Sequence, residues 1–491
     1  MALFDVVPAP AVVEPAPGSF TLQVSARIRV SPRAEGVASY LADVLRPSTG
    51  FALPVVQLED GDRDGDILLV LGEADPRTGR HGYELMVTGR LLVIRAEEPV
   101  GLFAGVQTLR QLLPAEVESG SPAAGMAWAV PAGRIVDFPR FGYRGAMLDV
   151  ARRFFPVDEV RRFIDHLALY KVNHLHLHLT DDQGWRIAVK QWPNLTLYGG
   201  GTEVGDGSGG YYEQSDYSEI VAHAAERFIT IVPEIDMPGH TNAALASYPE
   251  LNEDGRAPDR YTGIEVGFSA LCVTRELTYQ FVDEVFEEVA RLTPGPYLHM
   301  GGDEVKTLEP EAYDGFVTRV QRIIAAHGKT PMAWHEAARA AVGSSIAHYW
   351  GTAAADADVT AAVARGVRLV LCPPNRTYLD MKYDDSTVLG QRWAGVVGVR
   401  DAYDWDPGSY LSDVDSTAVL GVEAPLWSET IRSLADAEFM AFPRLPALAE
   451  LGWSPASAHD WESFRQRLAT HGRRWDAMGL TYFPSPEIPW R

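Results

Sequence analysis

Asn173-His174-Leu175-His176-Leu177-His178-Leu179-Thr180-Asp181-Asp182 is a short run with a leucine at every second place, and it ends abruptly in carboxylates. Just upstream, Val160, Phe163, Ile164, Leu167 and Leu169-Tyr170 recur at helical spacing behind a Pro156/Asp158 start signal. Before that helix lies another apolar run, residues 143–150, which leads into Arg152. Apolar strand, amphipathic helix, apolar strand is the pattern of a parallel sheet covered by helices. The rhythm continues downstream. Residues 228–233, 297–301, 331–334, 346–350, 367–371 and 419–425 are further strand candidates, and 277–292 and 315–327 have amphipathic helical spacing. Eight such units in succession predict an α/β fold, a (β/α)8 TIM barrel.

The 491 residues leave room beside such a barrel. Between residues 20 and 132, strand-like runs at 21–30, 67–71, 83–88 and 91–96 surround two helical stretches, 36–45 and 101–113. This part carries no cluster of convergent polar groups and reads as a small, non-catalytic α+β domain. The expected division is 1–139 for that domain, 140–475 for the catalytic barrel and 476–491 for a C-terminal tail. Residues 8–18, rich in proline, read as an extended lead-in. Residues 461–475 read as one amphipathic helix closing the underside of the barrel. The glycine-rich stretch 199–210 reads as a long loop after the second or third strand, and its Gly205-x-Gly207-x-x-Gly210 spacing lacks the flanking strand and helix of a dinucleotide site.

Composition narrows the partners. A hydrophobic share of 46% and a charged share of 22% are those of a folded globular protein. The formal charge of −23 argues against a phosphate-backbone partner, so no nucleic acid is expected. No apolar run is long enough to span a bilayer, so no membrane partner is expected either. Two cysteines, Cys272 and Cys372, cannot build a disulfide framework. The start, Met1-Ala2-Leu3-Phe4-Asp5, lacks a basic segment followed by an apolar one, so a cytoplasmic location is expected unless a leader has been removed.

In TIM barrels the chemistry sits at the carboxyl ends of the strands. Here strand one runs out into Asp149 and Arg152, and strand two into Asp181, Asp182 and Arg186. Strand three leads to Glu234, Asp236 and His240, and strand four to Gly301-Gly302-Asp303-Glu304. Strand five ends at Trp334-His335-Glu336 and strand six at Tyr349-Trp350. After strand seven come Asn375, Tyr378, Asp380 and Trp393, and strand eight delivers Trp427 and Glu429. Aromatic faces pack against the C–H face of a sugar ring, while carboxylate and guanidinium groups bind its hydroxyls. The strand ends therefore point to a carbohydrate.

Most glycosidases flank the scissile bond with two separated carboxyl groups. Asp303 and Glu304 are instead adjacent, and neighbouring side chains diverge along a strand. Just past a strand end both can approach one face, where one protonates the leaving oxygen and the other serves a neighbouring group of the substrate. That suits substrate assistance, in which a 2-acetamido carbonyl of the sugar is the nucleophile. The charge of Asp303 is expected to keep Glu304 protonated to a higher pH, as a general acid needs.

His299-Met300-Gly301-Gly302-Asp303-Glu304 resembles the signature of glycoside hydrolase family 20, the β-N-acetylhexosaminidases, in their bacterial form. Asp149-Val150-Ala151-Arg152, the stretches His176 to Arg186 and Pro233 to His240, and Glu423-Ala424-Pro425-Leu426-Trp427-Ser428-Glu429 resemble that family's other motifs, in its order. The resemblance implies a retaining exo-β-N-acetylhexosaminidase that acts through an oxazolinium intermediate on terminal GlcNAc or GalNAc, with chitin fragments among its substrates and no cofactor or metal. It implies that Glu304 is the general acid/base, that Asp303 orients the acetamido N–H and that Tyr378 donates to the acetamido oxygen. Trp334, Trp350 and Trp427 would wall the acetamido group, with Trp393 near the leaving group. Arg152, Asp380 and Glu429 would bind the hydroxyls of the terminal sugar, and Asp181, Asp236 and His240 would support the acid pair. Arg153 departs from the histidine that many relatives carry, and it is expected to point away from the sugar.

Two other readings compete. His174, His176 and His178 alternate on one face of a strand, as in metal-dependent barrel amidohydrolases, with Asp236 and His240 to complete a site. Their place in the strand body favours hydrogen-bonded packing inside the barrel instead. A non-catalytic sugar-binding protein would also use tryptophans and carboxylates, but the Asp303-Glu304 pair with Tyr378 exceeds what binding needs.

Overall fold

The computed structural model describes residues 5–58 and 64–491. All eight expected strands form: Tyr143–Asp149, His174–His178, Thr230–Glu234, Tyr297–His299, Thr330–Trp334, Ile346–Tyr349, Arg368–Leu371 and Val419–Leu426. They close into a barrel in chain order, each parallel to its neighbours, and the eighth pairs with the first. The helix Val157–Leu169 shows how the units are built. Pro156 stands at its N-cap, Asp158 and Glu159 complement the dipole in its first turn, and Val160, Phe163, Ile164 and Leu167 form its buried face. Helices Glu276–Leu292 and Pro310–Ala326 flank the fourth strand in the same way.

Ahead of the barrel lies a seven-stranded mixed sheet with helices Glu35–Thr49 and Pro99–Leu112. The run expected at 21–30 is two strands with different partners. Val12–Thr21 pairs antiparallel with Ala129–Asp137, while Ile28–Val30 runs parallel to both Val55–Gln57 and Ile67–Leu71. The proline-rich lead-in is thus largely an edge strand, with a register shift between Pro15 and Ser19. Edge strands tolerate proline because one side of the strand makes no ladder bonds.

The helix expected over 461–475 is two helices, Trp461–Leu468 and His471–Met478. The second lies against the α+β domain. Arg474 donates to Glu118 Oε1 at 2.8 Å and to the carbonyls of Gln111 and Leu113. Trp490 from the tail packs against Trp475 with ring centroids 5.7 Å apart. At the junction of the two domains, Asp137 Oδ2 accepts from Tyr83 Oη at 2.8 Å, Lys171 Nζ at 3.0 Å and Trp453 Nε1 at 3.0 Å. Both cysteines are free and buried. Among the described residues, no helix is long and apolar enough to cross a membrane.

Candidate active site

The fourth strand stops at His299, and the chain then turns through Gly301 and Gly302, at φ 69° and 97°, to Glu304 at φ 52°. These left-handed conformations undo the divergence of neighbouring side chains. Asp303 Oδ2 and Glu304 Oε2 come within 3.7 and 3.6 Å of one atom, His240 Nε2. The turn is braced by Asp236, whose Oδ1 accepts from Gly302 N at 3.1 Å. His240 Nδ1 lies 3.2 Å from Asp181 Oδ1, and Asp181 Oδ2 pairs with Arg152 at 2.8 Å. The expected supporting residues Asp181, Asp236 and His240 therefore do stand around the acid pair.

Charge is distributed unevenly in this cluster. Burial pushes the Asp303 carboxyl up to about 6; His240 draws it down, and Glu234 and Glu304 add like charge. Burial and Asp303 push Asp236 well above the usual carboxylate range. Burial draws the His240 imidazole down, but Asp181, Asp303 and Asp236 outweigh it and raise His240 well above the ordinary histidine value. Asp303 is also the less exposed of the pair, with 12% of its side chain accessible against 31% for Glu304.

The expected aromatic residues meet beside this pair. The Trp334 and Trp427 rings lie 5.8 Å apart, Trp427 and Tyr378 6.3 Å, Tyr378 and Trp393 5.9 Å, and Trp393 and Trp350 6.2 Å. They form a continuous aromatic arc, from the buried Trp334 to Trp393, which is 58% exposed. The Arg152 guanidinium lies over the Trp427 ring, 4.9 Å from its centroid. Around the arc, Asp303 Oδ1, Asp380 Oδ1, Glu429 Oε2 and Arg152 Nε are buried without a hydrogen-bond partner. Burial and Glu429 together raise the Asp380 carboxyl well above its ordinary value. Buried polar atoms are normally satisfied, so such a ring marks a place for a polyhydroxylated ligand.

Other strand-end residues have structural work instead. Arg186 is fully buried and clasps the carbonyls of Val150, Ala151, Gly200, Thr202 and Gly210, tying the glycine-rich loop to the end of the first strand. Arg153 pairs with Glu203 of that loop and donates to the Ile431 carbonyl. His176 and His178 of the second strand face carboxylates inside the barrel, whereas His174 lies 2.8 Å from Asn173 Oδ1 and stacks on the Tyr143 ring. His178 Nδ1 is 2.6 Å from Glu234 Oε2 and its Nε2 is 2.8 Å from Asp181 Oδ2, while His176 lies 2.9 Å from both Glu423 and Glu234. Burial lowers the His176 imidazole, but these two carboxylates carry it up to about 9. Both nitrogens of His176 and of His178 thus face carboxylates.

Two residues were given no role in the sequence and have one here. Glu336 Oε2 accepts from Trp350 Nε1 at 2.9 Å, and Glu234 Oε1 accepts from Trp334 Nε1 at 2.9 Å. Only their places at strand ends could have singled them out.

A barrel whose strand ends carry paired carboxylates, an aromatic arc and unpartnered polar atoms defines a carbohydrate-active enzyme. The comparisons with known proteins are specific. Residues 141–456 match "Glycosyl hydrolase family 20, catalytic domain", and residues 4–138 match domain 2 of the same family. A beta-N-acetylhexosaminidase of Cellulomonas fimi is 39% identical over 99% of this chain and 97% of its own length. The solved GH20 beta-N-acetylhexosaminidase of Streptomyces coelicolor A3(2) is 52% identical, with a TM-score of 0.97 over 100% of this chain and 99% of that one. A mutant Streptomyces plicatus beta-hexosaminidase, solved in complex with product (GlcNAc), is 51% identical, with a TM-score of 0.97 over 100% and 98% of the two chains. The chain belongs to glycoside hydrolase family 20. It is a β-N-acetylhexosaminidase, and the metal-hydrolase and lectin readings are not favoured.

Proposed function

We propose that Glu304 and Asp303 divide the reaction between the leaving group and the acetamide of a terminal β-linked N-acetylhexosamine. Glu304 protonates the glycosidic oxygen as the C–O bond breaks, and the acetamido carbonyl oxygen closes onto the anomeric carbon. The ionised Asp303 accepts the acetamido N–H and offsets the positive charge of the oxazolinium ring, while Tyr378 donates to the acetamido oxygen. In the second half Glu304, now a carboxylate, takes a proton from water, whose oxygen attacks the anomeric carbon and reopens the ring with net retention. Trp334, Trp350 and Trp427 hold the acetamide in its attacking pose, and Trp393 faces the aglycone. Arg152, Asp380 and Glu429 bind the ring hydroxyls through their unpartnered atoms. Terminal GlcNAc and GalNAc on glycoconjugates or chitin fragments are the substrates of this reading.

The observation that carries it is the approach of both carboxylates to His240 from consecutive residues. That arrangement serves two groups on one face of a sugar rather than two faces of one bond. Glu304→Gln should keep affinity for N-acetylglucosamine, by calorimetry, while kcat on an aryl N-acetyl-β-glucosaminide falls about 10²–10⁴-fold. The matching aryl glucoside with a hydroxyl at C2 should be cleaved far more slowly by the unaltered enzyme. Equal rates on those two substrates would mean that a carboxylate of the enzyme attacks.

A further inference from the structure

Glu234 closes the third barrel strand, is fully buried, and serves two parts of the site with its two oxygens. Oε1 accepts from Trp334 Nε1 at 2.9 Å and lies 3.2 Å from His299 Nδ1. Oε2 lies 2.6 Å from His178 Nδ1 and 2.9 Å from His176 Nε2. From His178 the contacts continue to Asp181, and from Asp181 to both Arg152 and His240. The His178 ring also packs edge-on against Trp427, with centroids 4.9 Å apart.

A second buried carboxylate provides a natural comparison. Glu423 on the eighth strand is equally inaccessible and also sits among histidines. It accepts from Tyr143 Oη at 2.6 Å and lies 2.9 Å from His176 Nδ1 and 3.4 Å from His348 Nδ1. Either carboxylate would be costly in an apolar core, and the histidines offset that cost in both cases. Burial and charge compensation therefore account for the pair alike. They do not account for Glu234 also fixing the indole of Trp334, the most deeply buried member of the aromatic arc. An indole held by its N–H cannot tilt about its long axis without giving up that bond.

We propose that Glu234 is a positioning residue that sets how large an N-acyl group the pocket accepts, by fixing Trp334 through one oxygen and the His178–Asp181 branch through the other. The proposal rests on Trp334 walling the N-acyl group, as in the reading above. Glu234 touches no substrate atom; it acts by keeping two opposed parts of the site at a set separation. One extra methylene in a tight apolar pocket is worth roughly 10–200-fold in kcat/KM, so a small change in the Trp334 pose is readable as a change in acyl-chain preference.

The experiment compares Glu234→Gln and Glu423→Gln on three aryl β-glucosaminides that carry N-acetyl, N-propionyl or N-butyryl groups. For Glu234→Gln, kcat/KM on the N-acetyl substrate should fall and the propionyl-to-acetyl ratio should rise about fivefold or more. For Glu423→Gln, the thermal midpoint should fall while the acyl ratio stays at the wild-type value. Glu234→Asp, which keeps the charge but is one methylene too short to hold Trp334 Nε1 and His178 Nδ1 at once, should raise the ratio as well. It answers the question if Glu234→Gln does not fold. A wild-type ratio in Glu234→Gln, or in Glu234→Asp if that variant stands alone, would overturn the proposal. So would an equal shift in both glutamate variants, because that is what a purely structural role predicts. Failure of the underlying reading would look different: the unaltered enzyme would then cleave the 2-hydroxyl and N-acetyl substrates at similar rates.

Discussion

Asp303 and Glu304 are neighbours in the chain with unequal surroundings, and the inequality has a pH signature. Burial in the more enclosed position raises the Asp303 carboxyl to about 6. Asp303 must be ionised to accept the acetamido N–H and balance the positive ring. The competent fraction therefore rises with pH through that value. We expect kcat/KM to fall as pH drops below about 6. Asp303→Asn should abolish that acidic limb together with most of the rate. A limb that survives unchanged in Asp303→Asn would assign it to another group. The sequence revealed residue identities better than residue tasks. Arg186, grouped there with potential sugar ligands, spends its donors on five backbone carbonyls. Nothing in a residue type tells an arginine that binds a ligand from one that binds a loop.

At the scale of elements, the turn after the fourth strand is the most constrained segment of the site. A Cβ added to Gly301 would fall 1.7 Å from Asp236 Oδ1 and 2.8 Å from Asp236 Cα, at a backbone φ of 69°. Gly301→Ala should therefore cost roughly 2–4 kcal/mol by urea unfolding, from left-handed strain and the clash together. It should also lower kcat about 10²-fold, because both carboxylates hang from that turn. Normal kcat in the folded variant would show that the turn does not set their positions. The eight barrel strands were legible because each is a short apolar run between helical stretches, and burial on both faces demands that composition. The strands Val12–Thr21 and Ala129–Asp137 were not legible. Pro15, Pro17, Gly18, Pro131 and Gly133 interrupt them, and only their mutual pairing, more than 100 residues apart, makes them strands. The break between Trp461–Leu468 and His471–Met478 escaped for a related reason: the apolar spacing runs through it, and the second helix is aligned by Glu118 of the other domain.

At the scale of the whole molecule, the α+β domain and the barrel share buried polar groups and not only apolar surface. Asp137 lies where the last strand of the sheet ends and accepts from Tyr83 in the sheet and from Lys171 and Trp453 in the barrel part. Removing the charge from one member of a buried pair typically costs about 3–5 kcal/mol. Asp137→Asn should lower stability by that order. Far-UV dichroism, dominated by both domains, and tryptophan fluorescence, dominated by the barrel, should still report one coincident unfolding transition. Two separated transitions in the unaltered protein would mean that the domains unfold independently.

The exposure of Trp393 has an optical consequence. Of the twelve indoles in the chain it is the most exposed, and it stands at the rim of the arc that begins with Trp334. Eight of the others are buried, and Trp350, Trp427 and Trp490 are half-buried, so an uncharged collisional quencher reaches this fluorophore most readily. An oligosaccharide seated at the mouth would cover it, and the enzyme thus carries its own occupancy gauge without any label.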